Sequence, residues 1–441
     1  MNIIAIDCGA SFLKGALFED EVLVKRSIRQ APTVNTADWR EAKQISYLMD
    51  MVRSMLRELA QGKDEIMLCI SNEMHGFILA DVSGNPWGDY ISWQREFGSI
   101  PMEETGKTAE QILSKEDLQD DIRRSGMPLR AGLPNVNLLY LRNSKDWNLK
   151  VKDIWFYTLG DYILRILSRQ EVYCHPTNAA ATGLMDLVSG EWNQNLCHIV
   201  GGEQVHFPVI GEAAVEFDFE GVHIQALPAL GDQQAALLGA GMLNMDEISF
   251  NLGTGAQVSR LADSIQFSED YQLRPYFLGK YLMTIPHLPS GRALNVYFRF
   301  VQSIAKHYKL DIDDSEVWDW ILMETNNVQF SSLHCDLSFF SNAISNYSRG
   351  SIGNIGEYDF TVGNLFGSLF RQMADNFLFA AGKLGQRKES VNKVIFSGGI
   401  ARRIPMIRKI ILEQYQGGIN YSVGVDETLY GLMKYALQKY E

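Results

Sequence analysis

Residues 2–18 read NIIAIDCGASFLKGALF. The aliphatic run at 2–7 is a buried strand, Gly9 to Ser11 is a tight turn, and 13–18 is a second strand running back. A third short strand follows at 21–25. From 39 to 60 the period changes: Ile45, Leu48, Val52, Met55, Leu56 and Leu59 share one helical face, and Gly62 stops the helix. A further buried strand lies at 65–70. An antiparallel meander, a helix and another strand make an α/β layered domain.

The opening pattern returns. Residues 251–261, NLGTGAQVSRL, set beside DCGASFLKGAL from Asp7, bring Asn251 onto Asp7, Gly253 onto Gly9 and Leu261 onto Leu17. An amphipathic stretch at 358–384, with Leu365, Leu369, Met373, Phe377 and Ala381 on one face, leads into a strand at 394–396 and then Ser397-Gly398-Gly399. A helix is predicted over 405–412, with Pro405 at its first position. The stretch 325–351 reads as surface loop and short helix. With 441 residues, 46% of them hydrophobic, two domains are expected, divided near 227–231 after the strand-like 222–226. Two similar lobes would face each other across a cleft, a preferred ligand site.

Composition narrows the function. Five scattered cysteines without a CxxC pair argue against a disulfide framework and a structural zinc site, and fit a reducing cytoplasm. A net charge of -13 without a basic block argues against a nucleic-acid partner. No apolar run reaches the ~20 residues of a membrane span, and the start of the chain has no signal-peptide pattern. GxxxxGK[ST], HExxH, GxSxG and the protein-kinase motifs are absent.

The chemistry-bearing residues gather at strand ends. Gly9 and Ser11 offer a turn whose amides and hydroxyl could cradle a phosphate, with Asp7 placed to hold Mg²⁺ and Lys14 beside it; the competing reading is a plain hairpin with a solvated lysine. Gly253, Thr254 and Gly255 form a second such turn, and Gly398 and Gly399 open a strand-to-helix junction on which a ligand can lie flat. Asp232, in Leu230-Gly231-Asp232-Gln233-Gln234, is either a helix N-cap or a base accepting a hydroxyl proton, and nothing else in that stretch ionises. Met74, His75, Trp93, Gln94 and Arg95 supply an aromatic face and polar donors suited to a sugar; satisfied loop and packing roles are the alternatives.

Taken in order, IIAIDCGASFLKGALF, MHGFILADVSGNP with ISWQR, Thr177-Asn178-Ala179-Ala180, LPALGDQQAALLGAG, NLGTGAQVSRL, VIFSGGIARR and GVDETLYGLMKYAL resemble the FGGY carbohydrate kinases over nearly the whole chain. The resemblance implies two actin-like/ribonuclease H-like ATPase domains facing an interdomain cleft: a sugar-binding lobe at 1–228 and a nucleotide-binding lobe at 229–441. It implies a sugar substrate, ATP as co-substrate and Mg²⁺, with Asp232 as general base and Asp7 and Asp232 at the metal. Gly9, Ser11, Lys14, Gly253, Thr254 and Gly255 would meet the phosphates, Gly398 and Gly399 the adenosine, and Met74, His75, Trp93, Gln94, Arg95 and Asp232 the sugar. Residues 273–301 are most similar to the sedoheptulokinase branch, and xylulokinase-like members are also near. Two positions depart from the family pattern: Gln94-Arg95 follow Trp93 without the usual Asp, and Glu73 stands where xylulokinases carry Gln. An actin-like or chaperone-like ATPase and a non-catalytic sugar sensor are the alternative functions, and a homodimer is left open.

Overall fold

The structure, a computed structural model, describes residues 1–32, 43–144, 147, 153–253, 256–308, 312–328, 331–345, 348–385, 390–415, 420–423 and 426–440. Thr254, Gly255 and the predicted helix start at Trp39 lie outside them. The chain forms two compact units. The first contains Met1–Gly241, Asp263–Tyr281 and Asp426–Glu441; the second contains Met242–Ala262 and Leu282–Val425.

In the first unit the opening residues form β1 (Asn2–Cys8), β2 (Phe12–Glu19) and β3 (Val22–Gln30), the last longer than the 21–25 expected. Each is antiparallel to the next, with Asp7 opposite Lys14. Helix α1 (Lys43–Ala60) crosses to β4 (Glu65–Asn72), which lies parallel to β1 with Ser71 opposite Asp7. The strand Val222–Ala226 and the two-residue strand Leu230–Gly231 also run parallel to β4. The helix face predicted from periodicity is the buried one: Val52, Met55, Leu56 and Leu59 pack on Ile4, Ile6 and Leu17. Each such fully buried side chain contributes about 1.5–3 kcal/mol. The fit is close at Gly15, where a Cβ would stand 2.5 Å from the Met55 sulfur.

The final helix, Glu427–Tyr440, belongs to this same unit. It packs on the helix Asp232–Gly239 so tightly that a Cβ on Gly431 would lie 1.8 Å from the Ala235 carbonyl oxygen, and one on Gly239 1.7 Å from that of Glu427. Lys434 closes the contact by donating to the Gly239 carbonyl at 3.0 Å.

The second unit repeats the plan. Glu247–Asn251 pairs antiparallel with Ala256–Ala262 and parallel with Lys393–Ser397, which pairs in turn with Asn420–Val423. Asn251 faces Ser397 as Asp7 faces Ser71. The helix Val362–Lys383 buries Leu365, Leu369, Met373, Phe377 and Ala381, the face expected from the sequence. Among its described residues the stretch 325–351 is mostly exposed or half-buried loop, as the sequence suggested, but it also carries a short strand pair that the sequence did not show. Thr325 is buried at the end of the helix Asp314–Asn326, and His334–Asp336 pairs with Ser351–Gly353, burying Leu333, Cys335 and Leu337. A three-residue strand is too short to show a period of two.

Candidate active site

Three parallel strands of the first unit, β1, β4 and Leu230–Gly231, end side by side, and a carboxylate stands at each exit: Asp7, Glu73 and Asp232. Asp7 is 5% exposed, accepts from the Ser71 hydroxyl at 3.0 Å and lies 3.7 Å from the Lys14 ammonium. Burial raises its pKa, with Lys14 and Ser71 pulling against the rise. The turn after it is open: Ala10 and Ser11 are exposed, and the Gly9 amide donates to the Phe12 carbonyl at 3.2 Å.

Asp232 is the first residue of its helix; Gly231 holds the N-cap position that the sequence assigned to the aspartate. Its Oδ1 accepts from the Gln233 amide at 2.8 Å. Burial pushes its carboxyl up to about 7, the charges of Asp7 and Glu73 push the same way, and the Gln233 amide and the Arg274 guanidinium pull it down. A carboxylate held near neutrality can both exist as base and take a proton. The strand end before Asp232 is tied from behind: the Gly231 amide donates to the Thr177 hydroxyl at 3.0 Å, and the Asn178 amide donates to the Ala229 carbonyl at 2.8 Å and to Asn72 Oδ1 at 2.9 Å. The Thr177-Asn178 pair of the sequence thus fixes the backbone that delivers Asp232.

Glu73 is 8% exposed, and burial pushes its carboxyl up to about 7, opposed by the Tyr90 hydroxyl and the Trp93 indole. Glu73 Oε2 and the Tyr90 hydroxyl are both buried, and neither makes a well-aligned hydrogen bond. Gly76 admits the tyrosine: a Cβ there would meet its hydroxyl at 2.0 Å. Met74 is buried at 6%. His75 sits in the left-handed region at φ 65°, an uncommon conformation for a non-glycine residue. Its Nδ1–H donates to the Ala181 carbonyl at 2.7 Å, so Nε2 is the acceptor for the Arg274 guanidinium at 3.3 Å. Trp93 is 44% exposed, Gln94 is exposed and Arg95 half-buried.

Arg274, on the strand Gln272–Pro275, has no counterpart in the sequence reading. It is 4% exposed and donates to Gln233, Gln272, His75 and the Met74 sulfur. Burial pushes it down to about 9, Arg130 adds to the fall, and Asp232 opposes it. Only an arginine within a four-residue strand marks it in the sequence, which is no signal by itself.

In the second unit, Gly253 and the Gly398-Gly399 pair come together. Gly398 has φ 89°, and a Cβ on it would lie 2.5 Å from the Leu252 carbonyl oxygen and 2.9 Å from the Gly253 nitrogen. A Cβ on Gly399 would meet nothing within 4 Å. The junction is therefore a bare backbone ledge.

Residues 2–239 match the N-terminal domain of the FGGY family of carbohydrate kinases. A glycerol kinase of Marinomonas sp. is 26% identical over 268 residues, covering 57% of this chain and 53% of that protein. A gluconokinase of Bacillus subtilis is 21% identical over 296 residues, covering 63% and 55%. The chain spans about half the length of these curated relatives. Among solved structures, a xylulose kinase from Rhodospirillum rubrum aligns with a TM-score of 0.83 at 15% identity, covering 100% of this chain and 90% of the other. A Plasmodium falciparum glycerol kinase solved with ADP aligns at 0.78 and 17%, covering 100% and 90%. The shared fold is the two-domain, ribonuclease H-like, actin-like architecture.

Proposed function

The chain belongs to the FGGY family of carbohydrate kinases, and on that premise we propose that it transfers the γ-phosphoryl group of ATP to a hydroxyl of a sugar or polyol, with Asp232 as the general base. The observation that carries this reading is the row of carboxylates at adjacent strand exits, with Asp232 raised to about 7 and tethered through Thr177 and Asn178. In a phosphoryl transfer the protein's work is positioning and charge stabilisation. Asp232 takes the proton of the attacking hydroxyl as the new P–O bond forms, an assistance worth ~10²–10⁴-fold.

The donor set suits Mg²⁺. The charge of Asp7 raises the pKa of Asp232, a repulsion that a cation relieves, and magnesium sites commonly use one or two carboxylates together with phosphate oxygens. When bound, the ion neutralises phosphate charge. The open turn at Gly9 and Ser11, with Lys14 beside Asp7, is the proposed phosphate cradle of the first unit. Gly253 with Thr254 and Gly255 is proposed for the outer phosphates, and Gly398 and Gly399 for the adenosine. The relative solved with ADP supports the nucleotide reading.

The proposed acceptor is a ketose such as sedoheptulose or xylulose, read by His75, Trp93, Gln94 and Arg95; the relatives named glycerol kinase and gluconokinase extend the panel to polyols and sugar acids. A reducing cytoplasm is proposed, in keeping with free, buried cysteines. Among the described residues no helix is long and apolar enough to cross a membrane.

A coupled ADP-release assay over that panel tests the reading together with Asp232→Asn. Acceptor-stimulated release that the variant loses by at least ~10²-fold, with ATP binding retained, is the expected result. Release independent of any acceptor would point to an ATPase, and undiminished turnover in Asp232→Asn would remove the base assignment.

A further inference from the structure

The Arg274 guanidinium touches three separate segments of the first unit. One side donates to Gln233 Oε1 and to the Met74 sulfur at 3.5 Å; the other donates to Gln272 Oε1 and to His75 Nε2 at 3.3 Å. Met74 and His75 follow β4, Gln233 follows Asp232, and Gln272 lies on Arg274's own strand. That strand is itself fixed. The Leu273 amide donates to the Gly126 carbonyl at 3.0 Å, and Gly126, at φ 69°, leaves no room for a Cβ, which would stand 2.2 Å from the Leu273 carbonyl oxygen.

The partners are uncharged. Burying a guanidinium is costly, and it is ordinarily offset by a carboxylate in an ion pair. No carboxylate forms an ion pair with Arg274 among the described residues, although Asp232 is near enough to act on its charge. A buried cation surrounded by amides, an imidazole and a thioether is held for its directional donors. The planar fork fixes several acceptors at set angles, which a lysine cannot do. One of those acceptors is the imidazole of His75, whose tautomer is already set by the Ala181 carbonyl.

Resting on the kinase reading above, we infer that Arg274 is a positioning residue for the acceptor sugar: it sets His75 and Gln233 relative to each other and so determines which acceptor the site takes. Its own contact is with the groups that line the site, and its effect falls on acceptor recognition and leaves the nucleotide's binding alone.

The test uses the full chain carrying Arg274→Met or Arg274→Lys, with steady-state kinetics on the best and second-best acceptors and calorimetric acceptor binding. Expected are a rise of at least about tenfold in acceptor KM, a KM for ATP within about twofold of wild type, and a selectivity ratio that falls by about tenfold or more, about the worth of one net hydrogen bond. Lysine should not rescue, because charge without the fork leaves the acceptors unset. His75→Ala added to Arg274→Met should cost less than the sum of the single changes. Equal losses for ATP and acceptor, full rescue by lysine, or unchanged acceptor selectivity would each overturn the inference. Should Arg274→Met fail to fold, Gln233→Ala removes one acceptor of the fork and must give the same split. Failure of the kinase reading would appear in the wild-type chain as absent turnover, and acceptor binding would still report on Arg274.

Discussion

Replacing Thr177 by valine keeps the side chain's shape and deletes one hydroxyl. That hydroxyl accepts the Gly231 amide at 3.0 Å and meets His175 Nδ1 at 2.8 Å, with Thr177, His175 and Gly231 all buried. Valine leaves the Gly231 N–H without a partner in a place water does not reach. An orphaned buried donor costs about 1–3 kcal/mol. At ~2–4 °C per kcal/mol for a unit of this size, Tm should fall by roughly 4–8 °C for a loss near the middle of that range. The second consequence is chemical, because Gly231 immediately precedes Asp232. A misplacement of 1 Å costs ~10²-fold in rate, so a freed strand end that drifts by half as much should lower kcat about tenfold with KM for ATP unchanged. Thr177→Ser gives the opposite pattern: it keeps the hydroxyl and loses a methyl, so Tm drops by a few degrees, for about 1 kcal/mol, while kcat holds. Scanning calorimetry and steady-state kinetics on the two variants decide the matter. If valine lowers Tm but leaves kcat at the wild-type value, the tether stabilises the strand without orienting the base, and the reasoning fails.

With Asp232 as the proposed base, turnover should fall tenfold per pH unit below about 7, because a base must be ionised and this carboxyl is pushed up to about 7. Stability should run the other way. Asp232 and Glu73 hold protons in the folded chain at pH values where the unfolded chain, with ordinary values of 3.8 and 4.5, has released them, so Tm of the ligand-free protein should decline as pH rises from about 4 to 7. Asp232→Asn should flatten part of that decline, and an unaltered slope in melting scans would contradict it. Gly398→Ala places a Cβ 2.5 Å from the Leu252 carbonyl oxygen at φ 89°, a strain of about 1–3 kcal/mol, and should raise KM for ATP at least tenfold without changing KM for the acceptor. Equal KM values for ATP in the two proteins would separate Gly398 from the nucleotide.

The β1–turn–β2 meander, the buried face of α1 and the repeat of the same plan around Asn251 could be read from the sequence because each rests on local periodicity broken by glycine. Asp232 was legible as a lone ionisable group in an apolar stretch, although its place at the first helical position, one beyond the cap, depends on Gly231 pairing with β4. What the sequence hid was contact at long separation. Thr177 and Asn178 reach the strand end some fifty residues on, and Arg274 reaches His75 some two hundred residues back. Neither leaves a periodic trace, and Gln272–Pro275 is too short to declare which side it buries. The hairpin at His334–Asp336 was missed for the same reason.

The helix that carries Asp232 leans, glycine against carbonyl, on a helix the ribosome produces only after residues 242–425. The sheet of the first unit is therefore translated well before the helix that completes it. During synthesis that sheet can form while the helix bearing Asp232 still lacks its support, so a chain without residues 427–440 would keep Asp7, Glu73 and Asp232 and leave that helix unbraced.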